Sequence, residues 1–137
     1  MRAIVALGSN VEPRNARLAF ALKALGEMPG TRLVKASSVI ETEPQDVPEE
    51  FRDLKFLNQV AILETSLPVR EFSDRMHAIE DAQGRVRTVL NGPRTIDLDL
   101  VDFGGIVMDD PGLTLPHPRA RLRDFVMRPL AELGEAF

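Results

Sequence analysis

The order of strand and helix patterns along the chain is the feature that most constrains its fold. Some segments alternate apolar and polar residues with the period of a strand, and others repeat apolar residues at helical spacings of three and four. The predicted elements are strands at 2–7, 31–43, 56–64 and 95–103 and helices at 13–27 and 67–83. The order β-α-β-β-α-β predicts an α+β fold of ferredoxin-like architecture, with an antiparallel sheet and both helices on one of its faces.

The segments after this core predict an extension. Gly104 and Gly105 predict a tight turn, after which residues 106–108 should form a hairpin strand that pairs back on 95–103. A short C-terminal helix is predicted at about 121–133. This helix and the long loops at 44–55 and 85–94 can cover the sheet face that the first two helices leave open.

Size and composition restrict the class of protein. A chain of 137 residues can bury one substantial core, so we expect a single domain over 1–137. The absence of cysteine excludes disulfides and thiolate metal sites and favours a cytoplasmic protein. We expect no membrane segment, because no apolar run approaches 18 residues and the apolar N-terminal stretch is too short for a signal peptide.

Charge restricts the partners. A net charge of −4 and a pI near 5.2 argue against a general nucleic-acid binder. No hydrophobic surface stripe requires a second copy of the chain, so we expect a monomer.

The strand at 95–103 carries two acids with the same parity, Asp97 and Asp99. Their carboxylates should project from one face, roughly 6.5–7 Å apart at the backbone, which suits a hard divalent cation such as Mg²⁺. Asp102 has the opposite parity, so a straight strand would turn it away. Taken alone, the pair fits a solvated strand face better than a metal site. Arg94, three residues before Asp97, weakens that simpler interpretation, because its planar fork fits phosphate oxygens.

Arginine outnumbers lysine 14 to 3, and much of the arginine falls into two groups on either side of the acid pair. Such groups on an acidic protein indicate a local anionic ligand, although solvated loop arginines explain either group alone equally well. The first group is Arg85, Arg87 and Arg94, and the second is Arg119, Arg121, Arg123 and Arg128.

Several common active-site signatures are absent, including the Gly-x-x-x-x-Gly-Lys phosphate loop, Gly-x-Gly-x-x-Gly, His-Glu-x-x-His and Gly-x-Ser-x-Gly. Two strand carboxylates, two arginine groups and His117, which lies between two prolines, remain. These residue types suit phosphoryl-type transfer, in which positioning and charge neutralisation account for most of the catalysis.

The run from Gly92 to Leu100, Gly-Pro-Arg-Thr-Ile-Asp-Leu-Asp-Leu, resembles the signature of the 6-hydroxymethyl-7,8-dihydropterin pyrophosphokinase family of folate biosynthesis. Further segments agree in order and spacing, so that the resemblance covers nearly the whole chain. They are Ala6-Leu7-Gly8-Ser9-Asn10, Ser37-Ser38 before Thr42, Phe56-Leu57-Asn58, Glu80 with Gly84-Arg85-Val86-Arg87, Leu115-Pro116-His117 and Arg123-Asp124-Phe125.

The resemblance implies transfer of a pyrophosphoryl group from ATP to the hydroxymethyl oxygen of the dihydropterin, with release of AMP. Asp97 and Asp99 would hold two Mg²⁺ ions, and Arg85 and Arg94 would contact the transferring phosphates. The other implied ATP contacts are Glu80, Arg87, Leu100, Thr114, His117 and Arg123. The implied pterin contacts are Phe56 and Phe125, which would sandwich the ring, and Asn58 and Thr42, which would bond its polar edge.

Four positions depart from the family pattern, namely Leu90, Asn91, Gly112 and Pro118. In the family, these positions touch the nucleotide or the loops that close over it. They leave open a weakened relative that binds nucleotide or pterin without efficient turnover. A ferredoxin-like interaction module without a small-molecule site is a third possibility.

Overall fold

The computed structural model describes residues 1–43, 55–83 and 96–137. Within them, the predicted β-α-β-β-α-β order is confirmed, and the predicted C-terminal helix is present. The elements are β1 (Arg2–Ser9), α1 (Arg14–Gly26), β2 (Thr31–Ala36), β3 (Ile40–Thr42), β4 (Phe56–Thr65), α2 (Val69–Ala82), β5 (Asp97–Phe103), β6 (Met108–Asp110), β7 (Leu113–Leu115), a 3₁₀ turn (Ala120–Leu122) and α3 (Asp124–Glu132).

The main sheet is antiparallel, with the strand order β2-β4-β1-β5 and with β3 also paired to β4. Its two central strands, β1 and β4, are buried on both faces. On one face, Leu63 and Leu98 pack with Leu18 of α1 and Phe72 of α2. This arrangement agrees with the prediction that both of the first two helices lie on one side.

The second face of the sheet is covered by α3. Val60, Ile62 and Val101 pack there with Val126 and Leu130. Because side chains alternate along β4, this is also the face of Asn58. The predicted role of the last helix as a cover is therefore confirmed, and the site described below lies at the end of this face.

The strand predicted at 31–43 is wrong in one respect, because it divides into β2 and β3. At the break, Ser37 donates its backbone N–H to Val60 O at 2.9 Å, and its Oγ accepts from Val60 N–H at 2.9 Å. A hydroxyl thus replaces the carbonyl of a regular ladder. The chain can leave the sheet at Ser38 without leaving the groups on β4 unsatisfied.

The predicted pairing of 106–108 on β5 is also wrong. Gly104 and Gly105 do form a turn, with φ of 58° and 77°. The chain then leaves β5, and β6 pairs with β7 in a separate two-stranded sheet. The cause is the Pro111-Gly112 step, where Gly112 has φ of 77°. Proline followed by a glycine at positive φ is a strong two-residue turn, and it closes the β6–β7 hairpin.

One irregularity interrupts the pairing of β1 with β5. Val5 lies opposite Leu100, but Ile4 lies opposite Asp102, so Val101 is an extra residue on β5. Such a β-bulge places two residues of one strand against one of its partner. Because of the extra residue, the Asp102 side chain is not turned to the face that it would take in a straight strand. Its Oδ2 accepts from Gly105 N–H at 3.3 Å in the turn.

Candidate active site

The strand register places Asn58, Gly8 and Asp97 in one row across the sheet. Gly8 of β1 lies opposite Asn58 of β4 on one side and opposite Asp97 of β5 on the other. Directly opposed residues project from the same face, and neighbouring strands are about 4.8 Å apart. An amide and a carboxylate therefore flank a residue that has no side chain, on the face that α3 covers.

The next row on the same face brings the second acid into line. Ala6 lies opposite Val60 on β4 and opposite Asp99 on β5. Asp97 and Asp99 are both partly exposed, whereas Leu98 between them is buried on the opposite face. The predicted common orientation of the two carboxylates is thus present in the structure.

The segment before α3 brings two basic side chains to Asp99. Arg123 Nη1 lies 3.5 Å from Asp99 Oδ2, and His117 Nε2 lies 4.0 Å from Asp99 Oδ1. His117 is anchored by its backbone, since its N–H donates to Val101 O at 2.8 Å. Its Nδ1 accepts from Arg119 N–H at 3.2 Å, so the neutral ring carries its proton on Nε2, the nitrogen nearer to Asp99.

Burial of the ring lowers the pKa of His117 below 6.5, and the charges of Arg123 and Arg119 lower this pKa further, whereas Asp97 raises it. His117 is therefore neutral at pH 7. The unfolded chain takes up this proton first as the pH falls. Stability from this residue is consequently full above about pH 6.5 and declines as the pH falls towards the lower folded pKa.

The acid pair suits a cation that shares its ligands with a substrate. Within 1–43, 55–83 and 96–137, no group of three or more histidine, aspartate, glutamate or cysteine side chains could hold a metal ion. Mg²⁺ keeps several waters and binds through one or two carboxylates plus substrate phosphates, so two carboxylates on one strand face can serve as its protein ligands. The donor set of Asp97 and Asp99 therefore fits the predicted metal.

Three of the predicted pterin contacts lie close together beside Gly8. Asn58 is buried, and its Nδ2 donates to Thr42 Oγ1 at 2.5 Å. A Cβ atom built on Gly8 would lie 3.2 Å from Asn58 Oδ1 and 3.6 Å from Phe56 Cδ1. The fourth contact, Phe125, projects from the first turn of α3, and its ring centroid is 5.6 Å from Arg123 Cζ. The cleft thus has a sheet side and an α3 side.

Glu80 is only 1% exposed, so it does not merely add charge to the surface of α2. Its Oε2 accepts from Leu98 N–H at 2.8 Å, and its Oε1 lies 2.7 Å from His77 Nδ1. Because β5 is the outermost of the described strands on this side of the sheet, Glu80 satisfies an outward N–H between the two acids. Glu80 therefore supports β5 from α2.

We expect Glu80→Ala to lower the free energy of unfolding by about 1–3 kcal/mol, because a buried N–H loses its acceptor. Urea unfolding at pH 7 measures the change. Glu71→Ala is the matched control, since Glu71 on the same helix is half-exposed and 3.5 Å from Arg75. Its cost should stay below about 1 kcal/mol. Equal losses for the two variants would contradict the supporting role of Glu80.

Two further predicted ATP contacts lie away from the acids' side chains. Leu100 has a buried side chain, but its backbone lies on the edge strand, and its amide should point outward as that of Leu98 does. Thr114 is exposed on β7, where its hydroxyl donates to Asp109 Oδ1 at 3.3 Å. Neither position conflicts with a nucleotide along the edge of β5.

The second arginine group does not act as one cluster. Arg123 reaches Asp99, but Arg121 bonds Phe137 O at 2.5 Å and lies over the ring of Phe137. Arg128 pairs with Asp124 at 3.3 Å on the surface of α3. The first group, Arg85, Arg87 and Arg94, lies outside the described residues, as do Leu90 and Asn91 and the loops predicted at 44–55 and 85–94 apart from Lys55.

The register also identifies site residues to which sequence reasoning gave no role. Gly8 and Ala6 form the floor between the two halves of the site. The only signal for them was their place in Ala6-Leu7-Gly8-Ser9-Asn10. A pattern along one strand does not show which residues lie beside it on the neighbouring strand of the sheet.

The antiparallel fold and a site that combines an acid pair, a basic pair and an aromatic–amide cleft define a phosphoryl-group transferase. Residues 4–135 match the model of the family described as 7,8-dihydro-6-hydroxymethylpterin-pyrophosphokinase (HPPK). The chain belongs to this family, and the suggested resemblance is confirmed.

Individual relatives agree with this assignment. The chain is 42% identical over 133 residues to the 2-amino-4-hydroxy-6-hydroxymethyldihydropteridine pyrophosphokinase of Pseudomonas aeruginosa, covering 97% of this chain and 80% of that protein. It is 38% identical over 135 residues to the protein of the same name from Haemophilus influenzae, covering 96% and 81%. It is 35% identical over 132 residues to the folic acid synthesis protein fol1 of Schizosaccharomyces pombe, covering 96% of this chain but 18% of that longer protein.

A solved structure supports the fold. The crystal structure of an HPPK-DHPS in complex with substrates superposes with a TM-score of 0.67 over 96% of this chain and 40% of that chain, at 11% identity. None of the helices in the described ranges is long and apolar enough to cross a membrane.

Proposed function

We propose that this protein transfers the pyrophosphoryl group of ATP to the hydroxymethyl oxygen of 6-hydroxymethyl-7,8-dihydropterin, in folate biosynthesis. The hydroxymethyl oxygen bonds to the β-phosphorus of ATP, the bond from that phosphorus to the α-phosphate oxygen breaks, and AMP leaves. The observation that carries the proposal is the row Asn58–Gly8–Asp97. It places an amide that can bind a heterocycle next to a carboxylate that can bind a phosphate-bound cation. Family membership supports the same activity.

The pterin would bind on the sheet side of the cleft. Phe56 from the sheet and Phe125 from α3 would offer two apolar faces to a flat heterocycle. Asn58 and Thr42 supply amide and hydroxyl groups for its polar edge, and their mutual hydrogen bond holds them in place before the ligand arrives. The absence of a Cβ at Gly8 leaves room for the hydroxymethyl group beside Asp97.

The phosphates of ATP would lie over Asp97 and Asp99. These two residues would hold two Mg²⁺ ions, which when bound neutralise triphosphate charge and polarise the phosphorus–oxygen bonds. Arg123 supplies a fixed positive charge 3.5 Å from Asp99, and neutral His117 offers its Nε2–H as a donor at the same place. Arg85, Arg87 and Arg94 would add further cations, with Arg85 and Arg94 on the transferring group. Leu100 and Thr114 complete the proposed nucleotide contacts, and Glu80 would act indirectly through its hydrogen bond to Leu98 N–H.

Analysis of the reaction products tests this proposal. With Mg-ATP and the reduced pterin alcohol, we expect AMP and the pterin diphosphate in equal amounts and no ADP. EDTA should stop the reaction. The matched control is the 6-methyl pterin, which lacks the acceptor hydroxyl and should yield no AMP above background. Saturable binding of both ligands without AMP would instead favour the weakened relative, and binding of neither would favour the interaction module.

The monomeric state and the cytoplasmic location expected from the sequence stay predictions. Sedimentation analysis of the purified protein at micromolar concentration checks the first, with a single species near 15.2 kDa as the expected result.

A further inference from the structure

The C-terminal end of α3 is attached to the sheet by a two-point contact between Glu132 and Ser38. Ser38 N–H donates to Glu132 Oε2 at 2.7 Å, and the Ser38 hydroxyl donates to Glu132 Oε1. One residue thus satisfies both oxygens of one carboxylate. These bonds lower the pKa of Glu132. An acid is electrostatically disfavoured in the last turn of a helix, so the Ser38 donors compensate for an otherwise poor position.

The Ser38 end of this contact is rigidly connected to the pterin side of the cleft. Ser38 follows Ser37, whose backbone and hydroxyl bond both polar groups of Val60 on β4. Gln59 Nε2 also donates to Ser37 O at 2.8 Å. The chain then enters β3, where Thr42 accepts from Asn58. Ser38 therefore moves with the strand pair that carries the proposed recognition groups.

The Glu132 end belongs to the helix that carries Phe125. Phe125 lies seven residues earlier on the same helix, about 10.5 Å along its axis. Val126 and Leu130 pack α3 on the sheet through apolar contacts. These contacts fix the distance between the helix and the sheet, but they are not directional. The hydrogen bonds to Ser38 are directional and oppose sliding or rotation of the helix.

We propose that Ser38 and Glu132 form a clamp that sets the position of Phe125 relative to Asn58 and Phe56, and so determines how well the pterin ring fits. This inference rests on the proposed function. Both members are positioning residues, because neither lies among the groups assigned to the substrates.

Other contacts keep α3 attached when the clamp is removed. Lys35 Nζ donates to Leu133 O at 2.8 Å and lies 2.9 Å from Glu135. Arg2 also lies 2.9 Å from Glu135. Loss of the clamp should therefore change the alignment of the helix rather than release it.

The test compares Glu132→Ala with Arg128→Ala, which removes the exposed Arg128–Asp124 pair from the same helix. We expect Glu132→Ala to raise KM for the pterin about tenfold, the equivalent of losing about one net charge-assisted hydrogen bond. KM for ATP should stay within about twofold, because Arg123 is held by the turn before α3. Arg128→Ala should leave both constants unchanged.

Two further variants distinguish positioning from simple destabilisation. Glu132→Gln should recover most of the pterin affinity, since its amide oxygen and NH₂ can still meet Ser38 N–H and the hydroxyl. Ser38→Ala should add nothing to Glu132→Ala, because the pair acts as one unit. An unchanged pterin KM in Glu132→Ala, equal rises in both KM values with a lower Tm, or additive effects would each overturn the clamp.

The failure of the clamp is distinguishable from failure of the proposed function. If the wild-type protein forms no AMP, the proposed function fails. The clamp is then judged by pterin binding alone, followed through the fluorescence of the oxidised pterin alcohol. The chain contains no tryptophan or tyrosine, so protein emission does not obscure the signal. Weaker binding in Glu132→Ala than in Arg128→Ala supports the clamp, and equal binding overturns it.

Discussion

Replacement of Asp97 by asparagine should abolish turnover while leaving the fold intact. The two side chains have the same shape, and Asp97 is partly exposed on the face of β5 that lines the cleft. The neutral amide cannot hold a divalent cation against triphosphate charge. We expect kcat to fall on the order of 10³-fold, since metal-ion stabilisation of transition-state charge amounts to several kcal/mol. Product formation at saturating Mg-ATP measures the loss, and the Tm reports the fold.

Asp102→Asn is the matched control for this variant. Asp102 lies on the same strand but beyond the bulge, where its carboxylate accepts from Gly105 N–H. An asparagine oxygen can accept the same bond, so turnover should stay within about twofold of the wild type. The assignment of Asp97 would be wrong if its variant kept more than a tenth of the activity, or if both variants lost activity equally.

Replacement of Gly8 by valine should have the second largest effect. Even a single added Cβ would lie 3.2 Å from Asn58 Oδ1, and the branches of valine would occupy the space between Asn58 and Asp97. The acceptor would then be displaced from the phosphates. Because a displacement of 1 Å can cost about 10²-fold in rate, we expect a loss of that order in kcat/KM for the pterin, and a smaller loss for Gly8→Ala. Steady-state kinetics with each substrate varied in turn measure it.

The thermal stability of Gly8→Ala separates this effect from unfolding. Glycine within a strand is unfavourable by about 0.5–1 kcal/mol relative to alanine, so Gly8→Ala should not lower the Tm appreciably. Gly26→Ala at the end of α1 is the matched control. Its Cβ would meet Leu33 Cβ at an ordinary 3.5 Å, far from the cleft, and its kinetics should match the wild type. Normal pterin kinetics in Gly8→Val would exclude Gly8 as the floor of the cleft.

Local patterns in the sequence predicted much of this architecture. Period-two and helical spacings depend only on neighbouring residues, so the β-α-β-β-α-β order and the shared face of Asp97 and Asp99 follow directly from them. The break between β2 and β3 could not be predicted in this way. It depends on the Ser37 hydroxyl replacing a carbonyl opposite Val60, which is a contact between residues distant in sequence. The β6–β7 hairpin is predictable from Pro111-Gly112, but Gly104-Gly105 is a competing turn signal a few residues earlier.

The site, too, is predictable from the sequence only in part. The residue types that suit phosphate and pterin could be recognised in the sequence, whereas their juxtaposition could not. The row Asn58–Gly8–Asp97 is set by the register of three strands that are distant in the chain. The buried position of Glu80 behind Leu98 depends on how α2 packs on the sheet. Composition and spacing contain neither fact.

The extra residue at Val101 has a consequence for how the family can vary in length. On β5, the bulge separates the half that carries Asp97 and Asp99 from the half that ends at Phe103 in the core. Insertion of one more residue between Asp99 and Phe103 would need a second bulge, or else would turn one half over, with either both acids or Phe103 on the wrong face. Deletion of Val101 would instead restore a regular ladder with the same facing pairs. Insertions should therefore be tolerated better after Gly104, where the chain has already left the sheet.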